Sequence, residues 1–183
     1  MLLSGKTAII SGAASRRGIG LATARRFAAE GARVAILDID AAAAADAAAT
    51  LGAAHLGLGC NVADKSSCND AVAQVIAKFG VIDILINNAG ITQPVKLLDI
   101  TPDDWERIQD VNLKGVLFLS QAVIPHMRGR KQGSIACMSS VSLPAVMSVP
   151  IRPGVTQLTR MPSGPNSRAM ALARPSTPAF AAE

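Results

Sequence analysis

The chain has 183 residues, 50% apolar and 17% charged, which is enough for one sizeable core and too apolar for a disordered segment. Its formal net charge is +5, and aromatic residues are only 3%. Residues 143–183 carry four arginines against Glu183, so this stretch supplies +3 of that charge. The bases are scattered and there is no aromatic stacking platform, which argues against nucleic-acid binding.

No apolar run approaches the roughly 18 residues of a membrane span. The N-terminus has no secretory pattern. The three cysteines, Cys60, Cys68 and Cys137, form no CxxC pair, so a reducing, cytoplasmic compartment is expected.

Through residue 142, short β-rich runs alternate with helical patterns. Residues 7–11 read as a buried strand. Residues 18–30 read as a helix with Leu21, Ala24, Phe27 and Ala28 on one face, stopped by Gly31. A second strand runs over 33–37 and ends at Asp38. The alanine-rich stretch 41–49 is a strong helix former that Asp40 can cap. Residues 55–60 make a weaker third strand. Asp64 then caps a helix that runs to Phe79 and ends at Gly80, and 81–86 is a fourth strand.

Thr101-Pro102-Asp103-Asp104 has the capping-box spacing and opens one long helix, 102–127. Its expected apolar face is Trp105, Ile108, Val111, Gly115, Phe118, Leu119, Ala122 and Val123. Residues 133–138 are a fifth strand. The alternation predicts an α/β fold: a doubly wound parallel sheet between two helix layers, joined by right-handed crossovers. From residue 143 the pattern stops, and seven of the ten prolines lie in the last 41 residues. The chain therefore divides into an organised domain, 1–142, and a Pro/Arg-rich remainder, 143–183.

The stretch from Gly12 through Ser15, Arg16 and Arg17 to Gly18-Ile19-Gly20 lies between the first strand and the first helix. A glycine-rich turn there lets backbone approach a pyrophosphate, and the helix start supplies free N–H groups and a positive dipole end. Asp38 ends the second strand about 20 residues on, where a carboxylate accepts from ribose hydroxyls and repels a 2′-phosphate. NAD is thus favoured over NADP, although Arg16 and Arg17 can pair with a phosphate and pull the other way. His55 and His126 lack partners at ligand spacing, so no metal site is expected.

With this loop and Asp38, the motifs Cys60-Asn61-Val62, Asn87-Asn88-Ala89-Gly90, Val111-Asn112 and Ser139-Ser140 make the chain resemble the classical short-chain dehydrogenases/reductases. The resemblance implies a Rossmann-type dinucleotide-binding domain over 1–142. Its cofactor-binding residues would be Gly12, Ser15, Arg17, Gly18, Ile19, Gly20, Asp38, Asn61, Val62, Asn88, Ala89 and Gly90. Asn61 stands where the family usually has an aspartate, and five residues separate the loop's first two glycines where three are common.

The resemblance also implies NAD(H)-dependent hydride transfer to or from a small alcohol or ketone. Asn112 and Ser140 match the family's catalytic asparagine and serine, with Ser139 and Ser142 as alternatives. The family's general acid/base is a tyrosine, tuned by a lysine four residues later. This chain contains no tyrosine and no lysine after Lys131. Aligned on Gly154, those positions hold Ser148 and Arg152, ahead of a helix-like stretch 154–161 and a strand-like stretch 168–173. The C-terminal third therefore reads as eroded or truncated. The alternative function is a non-catalytic dinucleotide-binding pseudoenzyme or interaction subunit. The family's habit of association implies a homo-oligomer through the long helix.

Overall fold

The computed structural model describes residues 1–93 and 95–139. The expectations for Ser140, Ser142, Ser148, Arg152 and the stretches 154–161 and 168–173 lie outside them. The described strands are β1 (Thr7–Ser11), β2 (Arg33–Asp38), β3 (Leu56–Gly59), β4 (Ile84–Asn87) and β5 (Ser134–Cys137). The helices are α1 (Ile19–Ala29), α2 (Ala41–Ala49), α3 (Lys65–Phe79), α4 (Pro102–Gln109) and α5 (Gly115–Gly129). All strand pairs are parallel, in the order β3-β2-β1-β4-β5.

Both faces of the three central strands, β1, β2 and β4, are buried, as is usual in a parallel sheet, while the edge strands β3 and β5 are partly or largely exposed. Ile9, Leu37 and Leu85 face one way, into a core shared with Val72 and Val75 of α3 and Leu119 and Val123 of α5. Their neighbours Ile10, Ile36 and Ile86 face the other way, against Leu21 and Ala24 of α1 and Ala44, Ala47 and Ala48 of α2. Ala44, Ala47 and Ala48 of α2 are the residues that packing holds small, and the other alanines of the helix are exposed or half-buried. Gly57 of β3 lies so close to the α2 backbone at Ala44 that a Cβ on it would collide with the Ala44 carbonyl.

The expected doubly wound α/β architecture is present, with boundaries that differ by one to three residues. Gly18 and Glu30 are the caps of α1 and lie outside its body. The third strand omits His55 and Cys60, and the fourth begins at Ile84. Asp40, Asp64 and Thr101 cap their helices as expected, accepting from Ala43 N, Ser66 N and Asp104 N.

The single long helix is corrected. Residues Asp110–Lys114 form a π-helical turn between α4 and α5. The wider turn rotates the two helices' apolar stripes relative to each other. On α5 the buried set is Gly115, Leu119, Val123 and Met127, spaced by four. No residue of α4 is buried, and Trp105 is 43% exposed, so it is not a core residue. Among the described residues no helix is long and apolar enough to cross a membrane.

Asp83 fastens the N-terminal ends of β1 and β4. The side chain, 6% exposed, accepts from Thr7 N at 3.0 Å and from Arg130 Nη2 at 3.0 Å. Arg130 Nη1 donates to Ile82 O at 3.1 Å, and His126 Nε2 accepts from Ile82 N at 3.2 Å. Burial pushes the Asp83 carboxyl up, but the Thr7 amide and the Arg130 guanidinium outweigh it and hold the group below the usual carboxylate range.

The unfolded chain therefore takes up this proton first as pH falls. The contribution of Asp83 is full above about pH 4 and is lost as pH drops through its lowered folded-state value. Asp83→Ala should cost about 3 kcal/mol at neutral pH, measured by urea unfolding. The gap to the parent should narrow in acid.

Candidate dinucleotide-binding site

The site lies where the C-terminal ends of β1 and β4 part, since the chain leaves β1 for β2 on one side and β4 for β5 on the other. Gly12 ends β1 with φ +62°, and a Cβ there would stand 2.6 Å from Ala89 Cα. Its N–H still donates to Leu37 O at 2.7 Å. Asn88 Nδ2 donates to both Ser11 O and Gly12 O at 2.9 Å. A Cβ on Gly20 would stand 2.6 Å from that same nitrogen. Gly12 and Gly20 thus let three backbone segments close around one amide.

Gly18 is the N-cap of α1 with no capping side chain, and the first turn holds no acid. The N–H groups there keep the positive end of the helix open to an anion. Gly18 N donates to Ser15 O at 2.9 Å, which shapes the turn, while Ser15, Arg16 and Arg17 are exposed. Ile19 is 64% exposed beside them.

Asp38 Oδ2 accepts from Ala14 N at 3.0 Å, which ties the end of β2 to the glycine loop. Cys60 N donates to Asp38 O at 2.7 Å and so brings Asn61 and Val62 to the same end of the sheet. Asn61 is exposed, with Oδ1 accepting from Ala63 N at 3.1 Å. Val62 is buried, and a Cβ on Gly115 would meet its Cγ2 at 2.8 Å. Gly90 passes Asn112, whose Oδ1 would lie 3.3 Å from a Cβ there.

Asn112 sits in the π turn with both ends of its amide engaged. Oδ1 accepts from Ile91 N at 2.8 Å and Nδ2 donates to Ile91 O at 2.9 Å. The side chain therefore clamps the loop after β4. The structure brings together Gly12, Gly18, Gly20, Asp38, Asn88, Ala89 and Gly90, with Asn61 and Val62 at the adjoining edge. Ser140 lies outside the described residues.

Ser11 is absent from the residues the sequence singles out, and Asn87 enters there only as part of the Asn-Asn-Ala-Gly motif. Ser11 Oγ accepts from Asn88 N and Ala89 N, both at 3.0 Å. The available signal was a hydroxyl in an otherwise apolar strand, since a buried hydroxyl needs partners. Asn87, 3% exposed, donates to Ser120 Oγ at 3.2 Å and Cys137 Sγ at 3.6 Å, and so joins β4 to α5 and β5. Ser11→Ala should cost about 2 kcal/mol by leaving two N–H groups without an acceptor. Gly12→Ala should cost roughly 3–4 kcal/mol through its positive φ and the Ala89 contact. Chemical denaturation measures both.

The short chain dehydrogenase family model matches residues 6–150. An uncharacterized short-chain type dehydrogenase/reductase of Sinorhizobium fredii is 64% identical over 146 residues, covering 78% of this chain and 58% of the relative. Galactitol 2-dehydrogenase of Agrobacterium fabrum is 45% identical over 133 residues, covering 73% of this chain and 51% of that enzyme. The crystal structure of 3-ketoacyl-(acyl-carrier-protein) reductase from Brucella melitensis complexed with NADH superposes with a TM-score of 0.71 at 37% identity, covering 75% of this chain and 58% of that one. The chain spans just over half the length of these relatives. With its parallel sheet, glycine cradle and Asn-Asn-Ala-Gly joint, the chain belongs to the short-chain dehydrogenase/reductase family.

Proposed function

We propose that the chain binds NAD(H) in preference to NADP(H). The carrying observation is the Asp38 carboxylate at the end of β2, tied to Ala14 N beside the Gly12–Gly20 cradle. The residues present fit a dinucleotide: the cradle has no Cβ to fill it, and the start of α1 offers uncapped N–H groups to a pyrophosphate. Gly18, Ile19 and Gly20 would hold the phosphates, with Ser15 and Arg17 alongside. Asp38 would accept from the adenosine ribose hydroxyls. Asn61, Val62, Asn88, Ala89 and Gly90 would wall the adenosine side. The NADH held by the Brucella melitensis reductase supports the cofactor class.

The activity that goes with this site is hydride transfer between the nicotinamide, which supplies the redox chemistry when bound, and a small alcohol or ketone in the cytoplasm. Ser140 would hold the substrate oxygen, and Asn112 fixes the loop after β4 through Ile91. A second reading, a non-catalytic dinucleotide-binding module, is favoured by one observation: the 183 residues include no tyrosine to act as general acid/base.

Calorimetric titration with NADH and then NADPH tests the cofactor. NADH should bind with weak NADPH binding, and Asp38→Asn should cut the discrimination roughly tenfold, about 1.4 kcal/mol. Equal binding of both would overturn the preference. Turnover on an alcohol panel that is lost in Ser140→Ala supports the enzyme. Folded, NADH-bound protein without turnover supports the module.

We also infer a homodimer through α4 and α5. Leu113, at the end of the π turn, and Leu117 and Ile124 of α5 lie in helical spacing and are 43%, 50% and 45% exposed. Leu117→Glu should convert the dimer to monomer in sedimentation. A parent chain that is already monomeric would reject this.

A further inference from the structure

β5 is the least covered strand of the sheet. β1 is buried along its whole length, whereas Ser134, Ile135 and Ala136 are exposed and Cys137 is half-buried. Ser134 N donates to Asp83 O at 2.9 Å and Met138 N donates to Asn87 O at 2.8 Å. Residues 134, 136 and 138 therefore turn their backbone groups toward β4. By the period of two, the N–H and C=O of Ile135 and Cys137 point away from it, at an edge that no described strand pairs.

The side chains are bare in the same way. Ile135 is in register with Leu85 and so lies on the α3 and α5 side of the sheet. It is 37% exposed, and Ile124 of α5 is 45% exposed. Met138, just past the strand, is 43% exposed. Open sheet edges are ordinarily guarded by charge or proline. Gly133-Ser134-Ile135-Ala136-Cys137-Met138 has neither. The other edge strand, β3, has α2 pressed onto it at Gly57.

What fits this edge follows from the direction in which the sheet grows. The chain runs β1-β2-β3 to one side and β1-β4-β5 to the other, so a further parallel strand lies beside β5. The family match ends at residue 150, soon after β5, and the match covers only 58% of the Sinorhizobium fredii relative.

We propose that the outer edge of β5 is a docking surface for a separate polypeptide carrying the part of a short-chain dehydrogenase/reductase that follows the matched span. That polypeptide adds a parallel strand, its backbone paired with Ile135 and Cys137. Its apolar side chains cover Ile135, Met138 and Ile124. A second copy meeting β5 through its own β5 brings another four-residue strand that is equally bare, so both faces of that joint stay uncovered. The docking needs neither the cofactor nor turnover.

The test co-expresses the full 183-residue chain with the stretch of the Sinorhizobium fredii relative that follows its match, tagged for capture. The two should co-purify. Amide exchange at Ile135 and Cys137 should slow roughly tenfold or more in the complex, relative to the chain alone. Ile135→Pro removes an outward N–H and spares the bonds to β4, and it should weaken capture roughly tenfold. Leu117→Glu, on α5, should leave capture unchanged. No capture, or capture that Ile135→Pro leaves intact, would overturn the proposal. So would amides at 135 and 137 that are already protected in the chain alone, whether by residues 140–183 or by a second copy.

Discussion

The arrangement of this molecule depends on how the Asn88 side chain is held. Its amide gives both hydrogens to the carbonyls of Ser11 and Gly12, where β1 leaves the sheet, and Gly20 of α1 passes too close to admit a Cβ. A chain turning out of a buried strand at φ +62° leaves carbonyls that no neighbouring strand can pair. Asn88 supplies the missing donors from β4's end, and Ser11 returns the favour by accepting from Asn88 N and Ala89 N. The bonds are reciprocal, so neither strand end can move without exposing the other's polar groups. The start of α1 is then fixed over the gap between β1 and β4.

The two ends of the sheet solve the same problem with different chemistry. At the N-terminal end, a buried carboxylate, Asp83, gathers Thr7, Arg130 and Lys6. Charge is consumed there, because every partner of the carboxylate belongs to the fold. At the C-terminal end, Asn88 and Ser11 do the joining with neutral groups. The start of α1 carries no capping side chain and so leaves its N–H groups open, while the Asp38 carboxylate, half-buried, accepts from Ala14 N on one oxygen and at a longer 3.4 Å from Asp40 N on the other. Central strands covered on both faces leave mainly their ends for such work, and polar residues divide between those ends accordingly.

Much of this was legible in the sequence. Strand-helix alternation gave the layers, because a period of two and a period near four are imposed by backbone geometry before any tertiary contact forms. Gly12, Gly20 and Asp38 were legible because only glycine fits a turn of this kind, and a carboxylate at a strand end is conspicuous. The π turn was not legible. Nothing in the composition of Asp110-Val111-Asn112-Leu113-Lys114 distinguishes it from a continuous helix. Its cause is tertiary: the Asn112 amide clasps Ile91 and Gly115 closes on Val62. Trp105 was misplaced for the same reason, since one wide turn rotates every residue before it. Ser11 was hidden because its partners lie 77 and 78 positions away.

Binding and chemistry are separable in this chain on physical grounds. The glycine cradle is built from β1, α1, β2 and β4, and the joint at its centre rests on the Asn88 carboxamide and the Ser11 hydroxyl, which do not titrate near neutral pH. Proton transfer to a carbinol oxygen needs a side chain that can change its protonation state near neutral pH. Asn112 cannot do so, because a carboxamide has no such proton and both its ends are spent on Ile91. A phenol held near a cation is the family's answer, and the sequence has none. The joint that Ser11, Gly12, Gly20 and Asn88 make between β1, β4 and α1 therefore stands whether or not hydride transfer accompanies it.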